Sequence, residues 1–353
     1  MDASKIEAPP PTQLDVARLA GVSRRTVSNV VTGFPLVADE TRSKVMAAVA
    51  DLGYRPNPAA QTLRSGRTGL IGLALPLNVP YFSELADFVV GEAWRRRLTV
   101  VIEKTDGDPD REREFLLRGG RSVLLDGLIF SPSALGQDEI QHLSSQTPVV
   151  ILGPGPARSL FDRVVVDNVA AARAVTQHLL RRRRARIALI GRRLGDREGI
   201  AAERARGYEE ALTAAGRAVD PRLMRDAGGF ARADGERTME ELLGLPEPPD
   251  AVFCYNDPIA LGAMRAVLRR GLRIPQDVAI AGFDDIEDGR FSTPTLTTIA
   301  QDKKAVAGLA VDLLSRRIEG RSGRSRTCVA PWRLEEREST AGPGPGAQAE
   351  GGR

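Results

Sequence analysis

The stretch that decides the fold of the N-terminal part is LDVARLAGVSRRTVSNVVT, residues 14–32. It predicts two short helices separated by a tight turn. In the first helix Val16, Ala17 and Ala20 share one face, which is the spacing of a buried helix side. Gly21 follows, and glycine adopts most easily the left-handed conformation that ends a helix.

The second predicted helix has an apolar back and a polar front. Ser23 can cap its start, since its hydroxyl can accept from amides of the first turn. Val27, Val30 and Val31 fall on one side. The opposite side carries Arg24, Arg25, Ser28 and Asn29. Arg can bind guanine, and Asn adenine, through paired hydrogen bonds in the major groove of DNA. A solvated amphipathic helix is the alternative that this pattern alone leaves open.

The excess positive charge of the chain is concentrated in this N-terminal module. Residues 12–68 contain eight Lys or Arg and four Asp or Glu, a net charge of +4, which equals that of the whole chain. The remaining residues therefore sum to zero. A small basic module on an otherwise neutral protein is the electrostatic pattern of a phosphate-binding surface.

The length of 353 residues indicates more than one domain, and 42% hydrophobic with 27% charged residues is ordinary for a globular protein. The two cysteines, Cys254 and Cys328, predict no disulfide framework. The first residues lack the apolar region of a secretory signal, and no apolar run approaches membrane-spanning length. We therefore expect a cytoplasmic, reduced protein without a membrane partner.

A third helix is predicted over residues 39–52, where Val45, Val49 and Leu52 recur at helical spacing. We expect residues 12–56 to form an all-α helix-turn-helix headpiece after a disordered N-terminus at residues 1–11.

Residues 57–68, NPAAQTLRSGRT, predict a short hinge helix and linker. Asn57 can cap it, and a helix of about seven residues is marginal in water, so it should need external support to fold. Leu63 is an apolar residue on this helix. It either packs on its own headpiece or inserts between base steps in the minor groove.

From Gly69 onward, apolar runs alternate with amphipathic helical stretches. The predicted strands are GLIGLALP, LTVVIEKT, GLIFSP, PVVILG, VVVDN, RIALIG, AVFCYN and VAIAGFDD; the predicted helices span 83–97, 110–119, 168–184, 201–215, 231–243 and 257–270. Buried strands alternating with helices predict parallel sheets covered on both faces. We expect two α/β lobes over residues 69–338, with functional residues at the carboxyl ends of the strands. Residues 339–353 are rich in Gly, Pro and Ala and predict a disordered tail.

The sequence shows no enzyme-like constellation. Its two histidines, His142 and His178, lie in amphipathic helices, where a surface position is expected for His178. Cys254 fits a small core residue. No zinc spacing and no phosphate-binding glycine loop is present, so neither a metal nor a cofactor is predicted. Asp284 and Asp285 end a predicted strand, where a structural role, a ligand-binding role and a catalytic pair all remain open.

Taken together, LDVARLAGVSRRTVSNVV, the run ending in LGYRPNPAAQTLRSGRT and the downstream ERARGYEEAL, NDPIALGAMRAV, GFDDIEDGRF and PTLTTIAQD resemble the lactose/galactose repressor family. The resemblance extends from about residue 12 to about residue 338. It implies a helix-turn-helix headpiece, a hinge helix, and a core of two parallel-sheet lobes like a type I periplasmic binding protein. Members act as dimers on pseudo-palindromic operators.

The resemblance also assigns the residues expected to contact DNA. Arg24 and Arg25 take base-reading positions, while Ser23 and Thr26 match phosphate contacts. Leu63 would part a central pyrimidine–purine step, for which CG fits. The complete set is Thr12, Gln13, Ser23, Arg24, Arg25, Thr26, Ser28, Asn29, Asn57, Ala60, Leu63 and Arg64. Asn29 stands where many members carry Arg.

In the core, the resemblance implies a small-molecule effector, a sugar or related metabolite, bound between the lobes. Arg204, Asn256 and Asp284 match a polar trio that holds the ligand, and Phe82 and Phe230 would supply apolar walls. The expected effector site comprises Phe82, Ser131, Arg204, Phe230, Asn256 and Asp284. Gly153 replaces a frequent Asp, which removes one polar group.

The sequence thus predicts a transcriptional regulator, a repressor, that forms a homodimer through its lobes around residues 84–94. A carbohydrate-binding or carbohydrate-processing protein with no DNA role is the alternative. A paired acid and base or an export signal would favour that alternative, and the sequence shows neither.

Overall fold

The structure is a computed structural model that describes residues 11–31, 34–55, 66–121, 125–142, 147–156, 159–191, 199–321 and 323–341. It divides into two compact units, one up to Thr68 and the other from Gly69 onward. Within the described residues, no helix is long and apolar enough to cross a membrane.

The described residues of the first unit form three helices: α1 (Gln13–Ala20), α2 (Arg24–Val31) and α3 (Asp39–Asp51). Gly21 ends α1 with a left-handed φ of 65°, as the sequence predicts. Val16, Val27 and Val45, one from each helix, are completely buried against one another in a small apolar core. This core fixes the angle between α1 and α2 and leaves the polar side of α2 exposed.

In the second unit, the part of the chain that the structure describes forms two six-stranded sheets. The first has the order β11–β5–β4–β3–β1–β2, and all its strands are parallel. Its strands are β1 (Leu70–Leu75), β2 (Thr99–Lys104), β3 (Gly127–Phe130), β4 (Val149–Leu152), β5 (Asp162–Val166) and β11 (Thr327–Ala330). Its helices are α4 (Pro80–Arg95), α5 (Pro109–Arg121), α6 (Gln137–His142) and α12 (Lys303–Ile318). We call this part the first lobe.

The second lobe contains the sheet of order β12–β10–β9–β8–β6–β7, in which only the edge strand β12 is antiparallel. Its strands are β6 (Ile187–Ile190), β7 (Met224–Arg225), β8 (Ala251–Cys254), β9 (Ala279–Phe283), β10 (Thr297–Gln301) and β12 (Trp332–Glu335). Its helices are α7 (Asn168–Arg181), α8 (Ile200–Ala214), α9 (Arg232–Leu243), α10 (Asp257–Arg269), α11 (Glu287–Phe291) and α13 (Glu338–Ala341), with a 3₁₀ turn at Pro221–Leu223.

The central strands of each sheet are buried on both faces, because helices cover both sides, whereas the edge strands β2, β11 and β12 are exposed in part. In the first lobe α4 and α12 pack on one face and α5 and α6 on the other. In the second lobe α9 and α10 cover one face, and α7 and α8 the other. The fully buried strands explain why β3, β4, β6 and β8 read as continuous apolar runs.

The chain passes between the lobes three times: from β5 to α7, from β10 to α12, and from β11 to β12. Neither lobe is therefore a continuous stretch of sequence. The expected fold class, two parallel-sheet lobes after a helical headpiece, is confirmed. All eight predicted strands are present, whereas β7, β10, β11, β12 and the long helix α12 were not predicted.

Two expectations are wrong. The tail does not begin at residue 339, because α13 extends to Ala341 and the side chains of Ser339 and Thr340 are buried. His178 is not a surface residue: it is 1% exposed, and its Nε2 lies 2.8 Å from Thr340 Oγ1. Burial in both cases comes from the last described segment packing on the second lobe.

Candidate functional site

The first candidate surface is the polar side of α2. Ser23 Oγ accepts a hydrogen bond from the Thr26 amide at 3.1 Å and lies 2.9 Å from Thr26 Oγ1, so Ser23 caps α2 as the sequence predicts. Arg24 and Arg25 are exposed in its first turn, and Ser28 is half-buried. Asn29, one turn after Arg25, is also half-buried. Guanidinium, hydroxyl and amide groups at the start of a short exposed helix can read base edges in a major groove.

Thr12 and Gln13 lie at the start of α1. The Thr12 hydroxyl donates to Asp15 at 2.6 Å, and the Asp15 amide donates back to Thr12 Oγ1 at 3.4 Å, which forms a reciprocal cap. This arrangement fixes the helix end that carries both residues. Four other predicted DNA contacts, Asn57, Ala60, Leu63 and Arg64, lie outside the described residues.

The second candidate site lies at the carboxyl ends of β8, β9 and β10 in the second lobe. Its centre is the buried guanidinium of Arg204 from α8. The carbon of that group lies 3.4 Å from the ring centre of Phe283 and 4.6 Å from that of Tyr255. Its Nε donates to Asn168 Oδ1 at 3.1 Å, and its Nη1 donates to the Tyr255 carbonyl. Two rings and two acceptors therefore hold Arg204 in one orientation.

Asp284 faces Arg204 from the end of β9. Its Oδ1 lies 3.8 Å from Arg204 Nη2, too far for a direct hydrogen bond, and accepts from Gln301 Nε2 at 2.7 Å. Burial raises the pKa of Asp284 from 3.8 to about 6, against the lowering effects of Arg204, Lys303 and Gln301. The Arg204 guanidinium and the Asp284 carboxylate thus lie close together without a direct hydrogen bond between them.

Asn256 caps α10, with its Oδ1 accepting from the Ile259 amide at 2.9 Å. Its Nδ2 donates to the Phe230 carbonyl at 3.3 Å, and the Phe230 ring lies 5.0 Å from the Tyr255 ring. Gly191 makes room for this pair, since a Cβ there would lie 2.2 Å from Tyr255 Cβ. The structure therefore brings Arg204, Asn256 and Phe230 together through Tyr255.

The first lobe reaches this site through α4. Tyr81 Oη donates to Gln301 Oε1 at 3.2 Å, which joins the first lobe to the partner of Asp284. Phe82 is half-buried, with its ring edge-on to Tyr81 at 5.1 Å. Ser131 follows β3 and is buried, with its hydroxyl 3.5 Å from the Leu152 carbonyl. Phe82 and Ser131 thus belong to the first lobe, and the other four predicted residues to the second.

Four residues that complete this arrangement were not predicted from the sequence: Tyr81, Asn168, Tyr255 and Gln301. Asn168, Tyr255 and Gln301 lie next to or at strand ends, where polar groups of a parallel sheet converge. Because Tyr255 lies beside Asn256 at the end of a predicted strand, its position could have identified it as a site residue. Gln301 belongs to a strand that was not predicted, so its proximity to Asp284 could not be expected.

Asp284 and Asp285 do not form a catalytic pair. Asp285 Oδ2 accepts from Arg290 at 2.6 Å, and its Oδ1 accepts from Arg337 at 2.6 Å, so its carboxylate is occupied by ion pairs. Cys254 is buried beneath the site, as expected of a core residue. Among the described residues, no group of three His, Cys, Asp or Glu could hold a metal ion.

The structure combines a helical module, in which α2 exposes basic residues, with two parallel-sheet lobes that carry a polar site at strand ends. This combination defines a ligand-responsive DNA-binding regulator. Comparison with known proteins agrees. Residues 12–57 match the bacterial regulatory proteins of the lacI family, and residues 176–340 match a periplasmic binding protein-like domain.

The chain is 32% identical to the HTH-type transcriptional repressor PurR of Vibrio atlanticus over 328 residues, 92% of this chain and 97% of the relative. It is 33% identical to the ribose operon repressor of Haemophilus influenzae over 329 residues, 93% and 98% of the two chains. The crystal structure of the lac repressor dimer bound to operator and the anti-inducer ONPF covers 94% of this chain and 99% of its own, with 28% identity and a TM-score of 0.81. A CelR–cellobiose complex covers 93% and 99%, with 30% identity and a TM-score of 0.68. The chain belongs to the lacI family of bacterial regulatory proteins.

This family consists of DNA-binding transcriptional regulators rather than enzymes. The match over residues 12–57 therefore excludes the alternative of a carbohydrate-binding or carbohydrate-processing protein with no DNA role.

Proposed function

We propose that this protein is a dimeric repressor whose affinity for its operator changes when a neutral, polyhydroxylated ligand binds between the lobes. The observation that carries the proposal is the buried pair of Arg204 and Asp284, which stand 3.8 Å apart. A hydroxyl group donates and accepts at once, so one hydroxyl can bond to the guanidinium and the carboxylate together.

The charge of the site favours a neutral ligand. Arg204 and Asp284 contribute one positive and one negative charge, and the nearby Lys303 is paired with Glu84 at 2.9 Å. A phosphate or carboxylate group would bring a charge with no matching partner into a buried site. The adjacent rings of Phe230 and Tyr255, tilted by 30° to each other, offer an apolar surface for the C–H face of a sugar ring. The cellobiose bound by the structurally similar CelR is such a compound.

On the DNA side, we propose that two copies of α2 read the half-sites of a pseudo-palindromic operator with a central CG step. Arg24, Arg25, Ser28 and Asn29 would contact base edges, while Thr12, Gln13, Ser23 and Thr26 would contact phosphates. Asn57, Ala60, Leu63 and Arg64 would enter the central minor groove, where Leu63 kinks the duplex. A regulator of chromosomal DNA acts in the cytoplasm.

The DNA proposal is tested by fluorescence anisotropy with selected palindromic duplexes. We expect affinity for a selected palindrome to exceed that for random duplex by about a thousandfold or more. Arg25→Ala should change which base is preferred at one half-site position. Lys44→Ala is the control, because Lys44 lies on α3 and pairs with Glu40 at 2.8 Å. Equal affinity for selected and random duplexes would contradict the proposal.

The ligand proposal is tested by the thermal shift of the full chain with cellobiose, D-ribose and adenine. A ligand that binds only the native state raises the melting temperature. We expect a shift with a sugar and no shift in Arg204→Ala, which removes the guanidinium of the pair. A shift retained in Arg204→Ala, or a shift with adenine alone, would contradict the proposed ligand class.

A further inference from the structure

The two residues that end β9 have an unusual backbone. Asp284 has a φ of 114° and Asp285 a φ of 50°, both in the left-handed region that non-glycine residues rarely adopt. Such conformations persist only where the surroundings hold them in place. Because Asp284 belongs to the candidate site, whatever holds this turn also fixes the position of its carboxylate.

The carboxylate of Asp285 is held by two arginines. Arg337 Nη2 donates to Asp285 Oδ1, and Arg290 Nη2 donates to Oδ2, each at 2.6 Å. The Asp285 carboxylate is 4% exposed, Arg337 is 18% exposed and Arg290 is 52% exposed. Water screens the Arg290 pair more strongly, so the Arg337 pair should constrain Asp285 more.

Arg337 belongs to the segment that follows β12, residues 336–341, which we call the C-terminal clamp. Arg337 Nη1 donates to the Leu296 carbonyl at 2.8 Å. Within the clamp, Ser339 Oγ donates to the Ile280 carbonyl at 2.6 Å and accepts from the Thr297 amide at 2.8 Å. These bonds tie the clamp to β9 and β10, the two strands that carry Asp284 and its partner Gln301.

We propose that Arg337 is a positioning residue for the effector site: through Asp285, the C-terminal clamp holds the left-handed turn that aims the Asp284 carboxylate at Arg204. This inference rests on the proposed function, since it assigns the role of Asp284 to ligand binding. Arg337 does not touch the ligand. The C-terminal clamp then contributes to ligand binding by fixing the position of the Asp284 carboxylate.

The variant that tests this is Arg337→Ala in the full chain. Arg337→Lys is the conservative variant, because a lysine ammonium can still pair with Asp285. Arg333→Ala is the matched control, since Arg333 lies on β12, is 70% exposed and pairs only locally with Glu335. Asp285→Asn removes the same ion pairs from the other side, and it decides the question if Arg337→Ala fails to fold.

The first measurement needs no ligand. Hydrogen exchange followed by mass spectrometry reports on residues 284–287, whose amides donate to Ile299, Thr298, Asp257 and Glu84. In Arg337→Ala we expect exchange of these amides to quicken by about tenfold or more, while β6 and β8 of the same sheet stay protected. Arg337→Lys should restore most of the protection, and Arg333→Ala should match the wild type.

The second measurement is the dissociation constant for cellobiose or D-ribose at a temperature where all variants are folded. We expect affinity to fall about tenfold or more in Arg337→Ala, to recover largely in Arg337→Lys and to stay unchanged in Arg333→Ala. If the folded Arg337→Ala and Asp285→Asn variants keep wild-type exchange at 284–287, the inference is overturned. If the wild type binds neither sugar, the proposed ligand class fails, while the exchange measurement still decides what the clamp does.

Discussion

The Asp284 carboxyl group shows how a binding residue lowers the stability of the free protein. Its pKa is raised by burial from 3.8 to about 6, so the folded state disfavours the charged form that prevails at neutral pH. The folded protein therefore loses stability as the pH rises from about 4 to about 6 and does not regain it above. A ligand hydroxyl that donates to this carboxylate would offset part of that cost.

Asp284→Asn should therefore stabilise the free protein at pH 7.5. The amide oxygen can still accept from Gln301, while the buried charge is gone. A shift of about two pKa units corresponds to an increase of about 2–3 kcal/mol in the free energy of unfolding. Denaturant titration of the variant and the wild type checks this, and the difference should vanish near pH 4. Asp312→Asn, which alters an exposed residue of α12, should change little, and a destabilised Asp284→Asn would contradict the argument.

His178 makes the opposite contribution to the pH dependence. Burial, reinforced by Arg182 and Arg181, lowers its pKa below 6.5 against the opposing effect of Glu336, so the folded state disfavours the protonated form of His178. Stability should therefore be lost as the pH falls below about 6.5, because the unfolded chain takes up the proton first. Unfolding at pH 7.5 and pH 5.0 should show a smaller loss in His178→Gln than in the wild type. The other histidine of the chain, the exposed His142, is the control, and His142→Gln should keep the acid sensitivity.

Among the elements, the three-helix headpiece has the smallest core. Val45 of α3 is completely buried against Val16 and Val27. Val45→Ala removes two methyl groups and leaves a cavity, which should cost about 2 kcal/mol, a large share of the stability of so small a unit. Operator affinity measured by anisotropy should fall, whereas the thermal shift caused by a bound sugar should not change. The exposed Met46, the next residue of α3, gives the control Met46→Ala.

The elements also show what the sequence could predict. Continuous apolar runs such as residues 251–254 marked buried strands, and glycine and serine marked the ends of α1 and α2, because these signals are local. The helix α12 was missed because its less buried side mixes Ala305, Gly308 and Leu309 with Lys304, Asp312 and Arg316, so the polar face is interrupted. Strands β11 and β12 are short and exposed in part, and only their distant partners β5 and β10 define them.

For the candidate site, too, the contacts between distant residues were not predictable from local sequence. Arg204, Asn256 and Asp284 were named from the resemblance. The structure places Asn256 and Asp284 at the ends of the adjacent strands β8 and β9, and Arg204 on α8. Their contact with a ligand stays a prediction. Tyr81 and Gln301 could not be paired from the sequence, because 220 residues and a crossing between the lobes separate them. Such contacts depend on how the two sheets face each other, which no local pattern encodes.

For the whole molecule, the proposed function requires that a ligand bound between the lobes changes the affinity of the headpiece for the operator. The three crossings lie outside the paired strands of both sheets, so a rotation of one lobe against the other would leave both sheets intact. Polar links hold the lobes in the described arrangement: Tyr81 with Gln301, Glu84 with the Glu287 amide, and Lys303 with the Asp285 carbonyl. A ligand changes the balance between arrangements only by its difference in affinity for them.

Tyr81→Phe tests this link, because it removes the hydroxyl that reaches Gln301 and leaves the ring in place. Losing one buried hydrogen bond between the lobes should change their balance by about 1 kcal/mol, or about fivefold. We therefore expect the ratio of operator affinities with and without a saturating sugar to change by about that factor. The ratio of sugar affinities with and without operator should change equally, because coupling between two sites is reciprocal. Anisotropy titrations measure the first ratio and calorimetry the second.

Ser83→Ala, which removes an exposed hydroxyl bonded within the first lobe, is the control on the same helix. If Tyr81→Phe alters sugar affinity but leaves both ratios unchanged, the Tyr81–Gln301 contact serves binding alone and the lobes communicate with the operator by another route.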